Sequence, residues 1–433
     1  MEGQRMNVLV VKGGKPLEGE VQVPGSKNAA LAIMSAVLLA PGECVLHNVP
    51  LVSDIRIKAN LLKTFGVKVE WRGSSLALDC GQLHQGACDE EMFRAIRTSF
   101  YILGPLLARL GRAKIPAPGG CMIGARPVDF HVKGLRMLGA EIELEGGVYR
   151  ASADQLRGAE IYLDFPSAGA TQHLMTAAVL ADGVTTIQNA AAEPEVITLA
   201  DFLNRLGARI EGAGTSTITI IGVKSLHPAD YIVPNDRLQA GTFLLAGAIT
   251  GGDVKVHGIQ PDSQTAVMNK LREAGAVVGE GHDWVRVAAP QRLRGIKVKT
   301  MPYPGFPTDM QQPMAALLSL AEGNSVVEET IYESRIGHIP ELNRMGANIR
   351  VEGRSAIIRG VDRLSGATVV ASDLRAGAAL VLAALAAEGE SCIHNVHYID
   401  RGYQDLEERI RSLGGSIVRV DDQEAHLSKE ALG

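Results

Sequence analysis

Apolar positions along the chain follow two periods in alternation, and the alternation itself repeats. Before Gly207, Val196, Leu199, Leu203 and Leu206 recur at spacings of 3, 4 and 3, the stripe of one helix face. A glycine at the helix end permits the left-handed backbone that terminates it. An alternating, strand-like run follows. The same transition occurs six times, in LLKTFGVKVE, LRMLGAEIEL, LNRLGARIEG, LREAGAVVGE, LNRMGANIRV and IRSLGGSIVR. The marker glycines Gly66, Gly139, Gly207, Gly275, Gly346 and Gly414 are separated by 73, 68, 68, 71 and 68 residues. Those of the first three and the last three correspond at offsets of 209, 207 and 207 residues, which points to duplication of a three-unit half.

Each unit also carries an earlier Ala-rich stretch, such as ATQHLMTAAVLADG (170–183) or RAGAALVLAALAAEG (375–389). These are apolar on nearly all sides and are expected to be buried. Strands such as VTTIQNA and SCIHNV follow them. Each unit reads strand, helix, strand, helix, strand, strand. The expectation is an α/β protein of two domains with three units each, helices inside and sheets outside, meeting across a cleft. The boundary is expected in the polar, Pro-containing stretch SLHPADYIVPND (225–236). A solenoid also repeats, but its repeats are typically about 20–50 residues long, shorter than these.

Composition narrows the class. The chain has 433 residues, 46% hydrophobic and 21% charged, ample for more than one core. Its net charge of −5 argues against a nucleic-acid protein held by bulk electrostatics. The N-terminal MEGQRMNVLVVKGGK lacks the apolar region of a signal peptide, and apolar runs such as LAIMSAVLLA (31–40) are too short to span a membrane. Five cysteines (44, 80, 88, 121, 392) form no CxxC pair, as expected in a reducing compartment. A cytoplasmic location is expected.

Charges recur at fixed places in the repeat. Lys27, Arg97, Arg237 and Arg375 stand where the buried helices are expected to begin, and Arg126, Arg335 and Arg401 where the amphipathic ones do. A helix N-terminus is already partly positive, so cations there call for an anion. The set points to an anion-binding cleft. Taken singly, each residue is as readily a surface charge or the partner of a nearby carboxylate such as Asp236 or Asp373.

In APGGCMIGARPVDFH (117–131), glycines at 119, 120 and 124 mark a mobile loop, with Cys121 five residues before Arg126. Nearby positive charge favours thiolate, so Cys121 is a candidate reactive thiol rather than an ordinary buried cysteine. Asp309, in GFPTDMQQ (305–312), is either a functional carboxylate or a helix cap. HNVH (394–397) lacks the further ligands of a metal site. Neither GxGxxG after a strand nor GxxxxGK[ST] occurs.

GSKNAAL (25–31), PGGCMIGARPVDFH (118–131), FPSAGAT (165–171), FPTDMQ (306–311), SDLRAGAALV (372–381) and YIDRGY (398–403) closely resemble the motifs of the UDP-N-acetylglucosamine 1-carboxyvinyltransferase family of enolpyruvyl transferases. The resemblance runs from about residue 8 to 420. It implies a two-domain inside-out α/β barrel of six repeats, with residues 27–233 as one domain and 1–26 plus 234–433 as the other. It also implies the first committed step of peptidoglycan synthesis, with phosphoenolpyruvate and UDP-N-acetylglucosamine as substrates and no metal or organic cofactor.

By the same resemblance, Lys27, Arg126 and Arg401 match positions that hold the phosphate and carboxylate of phosphoenolpyruvate, and Asn28 and Arg97 match polar contacts nearby. Arg126, Pro127, Val128, Asp129 and Phe130, with Ser167, Ala168 and Gly169, match segments that cradle the UDP moiety. Asp309 matches the carboxylate near the sugar 3-hydroxyl, and Ile331 a uridine-side contact. Arg335, Asp373 and Arg375 match functional second-domain positions, and Cys121 the proton donor to the phosphoenolpyruvate methylene. Phe165 and Ser53 stand where some members have Lys, which removes an ionic contact to the diphosphate at those sites. Two alternatives remain at this point. One is the sister enzyme that uses shikimate phosphate; the other is a non-catalytic paralogue that binds a UDP-sugar and regulates.

Overall fold

The computed structural model describes residues 7–86, 90–119 and 128–421. By their contacts these residues fall into two compact units, one of residues 7–23 and 235–421 and the other of residues 24–86, 90–119 and 128–234. Each has an apolar core of its own. The architecture is mixed α/β, as the pattern predicts. Among the described residues the strands form six open sheets, three in each unit.

A common strand order runs through the sheets. In the unit of residues 24–234, Glu160–Tyr162 lies parallel to Val184–Gln188. That strand pairs antiparallel with Thr217–Ile221, which pairs in turn with Arg209–Glu211. Ile187 sits opposite Ile161 and Ile218, and all three are buried, while Gln188 and Thr217 on the other face are exposed. Inward and outward positions alternate with the pleat. Tyr231–Ile232, Glu43–His47, Ser75–Asp79 and Lys68–Arg72 repeat the order. Arg112–Pro116, Val148–Ser152 and Glu141–Glu145 form the three-stranded sheet.

In the other unit Lys297–Lys299, Asn324–Glu328, Ser355–Arg359 and Asn348–Glu352 follow the same order. The remaining two sheets recruit the start of the chain. Glu18–Gln22 is the parallel neighbour of Asp253–His257. Asn7–Lys12 lies antiparallel between Glu390–His394 and Ser416–Asp421, with Leu9 opposite Ile393 on one side and Arg419 on the other.

Two kinds of helix occur. Lys27–Ala36, Leu103–Leu110 and Ala168–Ala178 in one unit, and Arg237–Ile249, Gln311–Leu318 and Leu374–Ala386 in the other, are mostly buried and pack on one another within their unit. Alanines and glycines bring them close, and the few large side chains fill the rest. Leu380, Leu382 and Leu385 are at most 2% exposed, and full burial of one leucine is worth about 1.5–3 kcal/mol. Ser53–Lys63, Asp129–Met137, Pro194–Arg205, Thr265–Ala274, Ile339–Arg344 and Leu406–Ser412 instead bury one stripe each. Val196, Leu199 and Leu203, expected on one face, are buried.

The helix ends differ by kind, for a physical reason. Four buried helices are capped by side chains, Ser26, Ser167, Asp236 and Asp373, which accept from backbone N–H groups of the first turn. The other two are led in by the 3-10 turns Arg97–Ile102 and Thr308–Met310. These N–H groups have no partner within the helix, so the chain supplies one. None of the six amphipathic helices has a side-chain cap bond. Their C-terminal ends are alike. All six marker glycines have positive φ, from 86° to 101°. Each donates its N–H to the carbonyl three residues back, and the next residue donates to the carbonyl five back, at Leu62, Leu135, Leu203, Leu271, Leu342 or Ile410. This is the Schellman closure.

A Cβ on Gly346 would meet nothing within 4 Å, so only its φ of 93° opposes a side chain. Gly346→Ala is therefore expected to lower unfolding free energy by about 1–2 kcal/mol, and Gly346→Asn by less. Urea unfolding of the two variants checks this; an Ala variant as stable as the parent contradicts it.

Candidate active site

In the unit of residues 24–234, Lys27 opens a buried helix. Its Nζ lies 3.3 Å from Asp54 Oδ2, with the two side chains 11% and 4% exposed. Asp54 is in the first turn of Ser53–Lys63, where negative charge is favoured. A cation at a helix start is thus offset by a carboxylate at the next one. Lys58, one turn further on, is wholly buried and donates to the Thr98 carbonyl at 2.7 Å. Asn28 and Arg97 are half-buried, the latter at the start of its 3-10 turn.

Val128 is buried and Phe130 half-buried, while Asp129 is exposed at the head of its helix. Cys121, Arg126 and Pro127 lie outside the described residues, as does Cys88. Ser167 caps the helix that Ala168 and Gly169 begin, accepting from Ala170 N at 3.3 Å. A Cβ on Gly169 would come within 2.5 Å of the Tyr101 hydroxyl, so any larger residue there would displace that side chain. Ser53 is half-buried and Phe165 is 39% exposed. Beneath the helix start lie two buried imidazoles, His131 and His173, with Nδ1 atoms 2.9 Å apart. The Phe100 ring meets both edge-on.

The unit that contains residues 235–421 holds a denser ionic cluster. Asp309, on the turn Thr308–Met310, receives Arg335 Nη1 on Oδ1 at 2.8 Å and Arg375 Nη2 on Oδ2 at 3.1 Å. Neither that turn nor the helix after it has a side-chain cap bond. The partner carboxylate of Arg375 is Asp309 rather than the adjacent Asp373. Asp373 instead caps its own helix through Arg375 N and Ala376 N, and accepts from Gln312 Nε2 at 3.1 Å.

Arg375 is 3% exposed. Burial works against its charge, but Tyr403, Asp309 and Asp236 outweigh burial and hold the guanidinium protonated. It donates to the Tyr403 hydroxyl at 2.9 Å. Thr242 already donates to the Leu238 carbonyl, so the Tyr403 hydroxyl donates to Thr242. Arg335 also donates to Thr308, which donates to buried Glu329 at 2.8 Å. Glu329 Oε1 in turn receives the backbone N–H of Ile331 and Tyr332, fixing the segment that carries Ile331. Arg401 is half-buried at the end of the 3-10 turn Val396–Arg401. A cavity of about 250 Å³ opens beside the cluster, lined by Arg237, Gln264, Tyr303, Pro307 and Met310 among others.

Among the described residues no three His, Cys, Asp or Glu are grouped to hold a metal ion, and no helix is long and apolar enough to cross a membrane. Cys44, Cys80 and Cys392 form no disulfide among the described residues.

The structure thus joins Asp309, Arg335 and Arg375 directly, sets Asp373 at the cap of the Arg375 helix, and ties Ile331 to the network through Glu329. Sequence reasoning missed Asp54, Lys58, His131, His173, Thr308, Glu329 and Tyr403. Asp54 and Lys58 carried a signal, an i, i+4 opposite-charge pair on one helix face. The others carried none, because their partners are distant in sequence.

The family pattern described as EPSP synthase (3-phosphoshikimate 1-carboxyvinyltransferase) matches residues 11–410. The chain belongs to the enolpyruvyl transferase family. It is 47% identical to a UDP-N-acetylglucosamine 1-carboxyvinyltransferase of Trichormus variabilis, over 98% of this chain and 96% of that protein. It is 50% identical to UDP-N-acetylglucosamine 1-carboxyvinyltransferase 1 of Symbiobacterium thermophilum, over 95% of each. The structure is similar to that of the enolpyruvyl transferase NikO from Streptomyces tendae, with a TM-score of 0.87 at 26% identity, covering 96% of this chain and 99% of that one. EPSP synthase from Acinetobacter baumannii shares the fold, with a TM-score of 0.76 at 21% identity over 96% of this chain and 100% of that one.

One feature of this enolpyruvyl transferase carries a pH dependence. His338 is fully buried, with neither ring nitrogen hydrogen-bonded among the described residues. Burial holds its pKa down at about 4, Asp373 opposing and Arg335 assisting. An unfolded histidine takes a proton near pH 6.5, so between that pH and about 4 only the unfolded chain is protonated there. Stability contributed by the neutral ring is therefore lost as pH falls through this window. His338→Leu should lose less stability than the parent between about pH 7 and pH 4.5 in urea unfolding; parallel curves contradict the assignment.

Proposed function

We propose that the protein transfers the enolpyruvyl group of phosphoenolpyruvate to the 3-hydroxyl of UDP-N-acetylglucosamine, releasing phosphate. The observation that carries this reading is the 47–50% identity, over nearly the whole chain, to enzymes named for that acceptor. The matching family pattern is named for shikimate phosphate, so the choice of acceptor rests on the relatives. The reaction is the first committed step of peptidoglycan synthesis, in the cytoplasm. The two domains, 27–233 and 1–26 plus 234–433, are read as inside-out barrels of three repeats each, descended from one duplicated half.

The chemistry sets the residue roles. Cys121 protonates C3 of phosphoenolpyruvate, and C2 gains oxocarbenium character. The sugar 3-oxygen attacks C2 as Asp309 takes its proton. The tetrahedral adduct then loses a proton from C3 and phosphate from C2, and the double bond re-forms. Lys27, Arg126 and Arg401 neutralise phosphate and carboxylate, with Asn28 and Arg97 as polar contacts. Arg126 to Phe130 and Ser167 to Gly169 cradle the UDP moiety, and Ile331 contacts the uridine side. Both Asp309 oxygens are already held by guanidinium groups. That favours orienting the hydroxyl and accepting its proton as C2 becomes electrophilic, rather than removing it beforehand. Arg335, Arg375 and Asp373 support that carboxylate and the helix behind it.

Phosphate release that requires both substrates tests the reading; release with shikimate 3-phosphate in place of the UDP-sugar moves the assignment to the sister enzyme. Asp309→Asn should lower kcat by roughly 10²–10⁴. It should also lower stability by about 3 kcal/mol, the low end for breaking a buried pair, because Asp309 keeps 25% of its side chain exposed. A destabilised but fully active variant confines Asp309 to a structural ion pair. Cys121, flanked by cations in sequence, should be alkylated by the epoxide fosfomycin, faster with UDP-N-acetylglucosamine present. Mass spectrometry that finds the adduct on Cys44, Cys80, Cys88 or Cys392, or full activity in Cys121→Ala, defeats that role.

A further inference from the structure

Lys58 is a lysine in a place that asks for an apolar side chain. It lies on Ser53–Lys63 among Ile55, Ala59, Leu61 and Leu62, and is itself 0% exposed. Lysine is almost never fully buried unless it is paired, because taking an ammonium out of water is costly. A methionine would follow the same path through the core without that cost. The charge therefore calls for a use other than filling space.

The ammonium is spent on one backbone group. Lys58 Nζ donates to the Thr98 carbonyl at 2.7 Å. Thr98 follows Arg97, the first residue of the 3-10 turn Arg97–Ile102. No side chain caps that turn at Ile96. The next residue is held as well, since buried Ser99 Oγ lies 2.6 Å from the carbonyl oxygens of Phe93 and Ile96, and Ser99 N donates to Ile96. The two residues after Arg97 are thus anchored from within the core, and Arg97 itself is half-buried.

The same helix holds a second cation. Asp54, in its first turn, lies 3.3 Å from Lys27 Nζ. Asp54 and Lys58 are four residues apart, on one helix face and about 6 Å along its axis. One rigid turn of helix therefore carries the carboxylate that meets Lys27 and the ammonium that meets the Arg97 turn.

We propose that Lys58 is a positioning residue for anion binding: it fixes the turn that carries Arg97, while Asp54 fixes Lys27, so that Ser53–Lys63 sets the separation of the two cations. The proposal rests on the functional reading above, in which Lys27 and Arg97 meet the substrates. Lys58 acts through Arg97.

A double-mutant cycle over Lys58→Met and Arg97→Ala, read by steady-state phosphate release with each substrate varied, tests it. Lys58→Met should raise the KM of the same substrate that Arg97→Ala affects, by about 10-fold, and change kcat less. In the Arg97→Ala background it should add less than about 2-fold. Lys58→Gln keeps an N–H donor on a side chain one bond shorter. It should recover part of the KM, with its remaining loss again confined to the chain that has Arg97, and it decides the matter where Lys58→Met does not fold. Equal factors in both backgrounds, a fall in kcat at unchanged KM (the mark of a smaller folded fraction), or an unaltered KM overturns the assignment alone. Parental kinetics in Arg97→Ala remove Arg97 from the site and overturn it too. A parent protein that releases no phosphate from the two substrates overturns the functional reading and this assignment with it.

Discussion

The constraint on which the structure depends is the start of the buried helix. Each such helix opens with N–H groups that have no partner within the helix, in a partly positive field. The chain satisfies them with Ser26, Ser167, Asp236 and Asp373, or with a 3-10 turn. It then adds a cation at or beside the same turns, Lys27, Arg97, Arg237 and Arg375. Stability alone does not ask for that second step. A guanidinium or ammonium at a positive helix end is costly unless an anion matches it. Asp54 does so for Lys27, and Asp309 for Arg375 together with Arg335. In the proposed function the same positive starts are the groups that would meet anionic substrates.

The protein matches charge at these starts in two ways. In the unit that contains residues 235–421 the match is ionic, with one carboxylate between two nearly buried guanidinium groups. The neutral Thr308 and Tyr403 hydroxyls extend that network to Glu329 and Thr242. In the other unit, at Ser167–Gly169, the groups beneath the helix are neutral imidazoles held neutral by burial. A charged network fixes geometry strongly but is costly to break. A neutral one fixes direction without adding charge.

What was legible in the sequence follows from this distinction. The six helix ends could be read because a left-handed C-terminal residue is a local demand, and glycine answers it wherever it arises. The buried helices could be read because their apolar character is continuous. The recurrence of cations at their starts was visible on the same ruler. Their partners were not. Arg375 is two residues from Asp373 and 66 from Asp309, yet it is Asp309 that the fold brings to it. His131 and His173 look like unrelated residues on two helices until packing sets their Nδ1 atoms 2.9 Å apart. Local backbone requirements leave a signature in sequence; tertiary pairings such as Lys27 with Asp54, 27 residues apart, do not.

The central claim is an addition–elimination on phosphoenolpyruvate in which C3 passes through a methyl group and the sugar 3-oxygen becomes bound to C2. Running the reaction in deuterium oxide and examining the purified sugar nucleotide by NMR tests it most directly. The account predicts an enolpyruvyl ether on the sugar 3-oxygen with deuterium in its vinyl group. Phosphate release with an unmodified sugar, or an ether whose vinyl group carries no solvent deuterium, would contradict it.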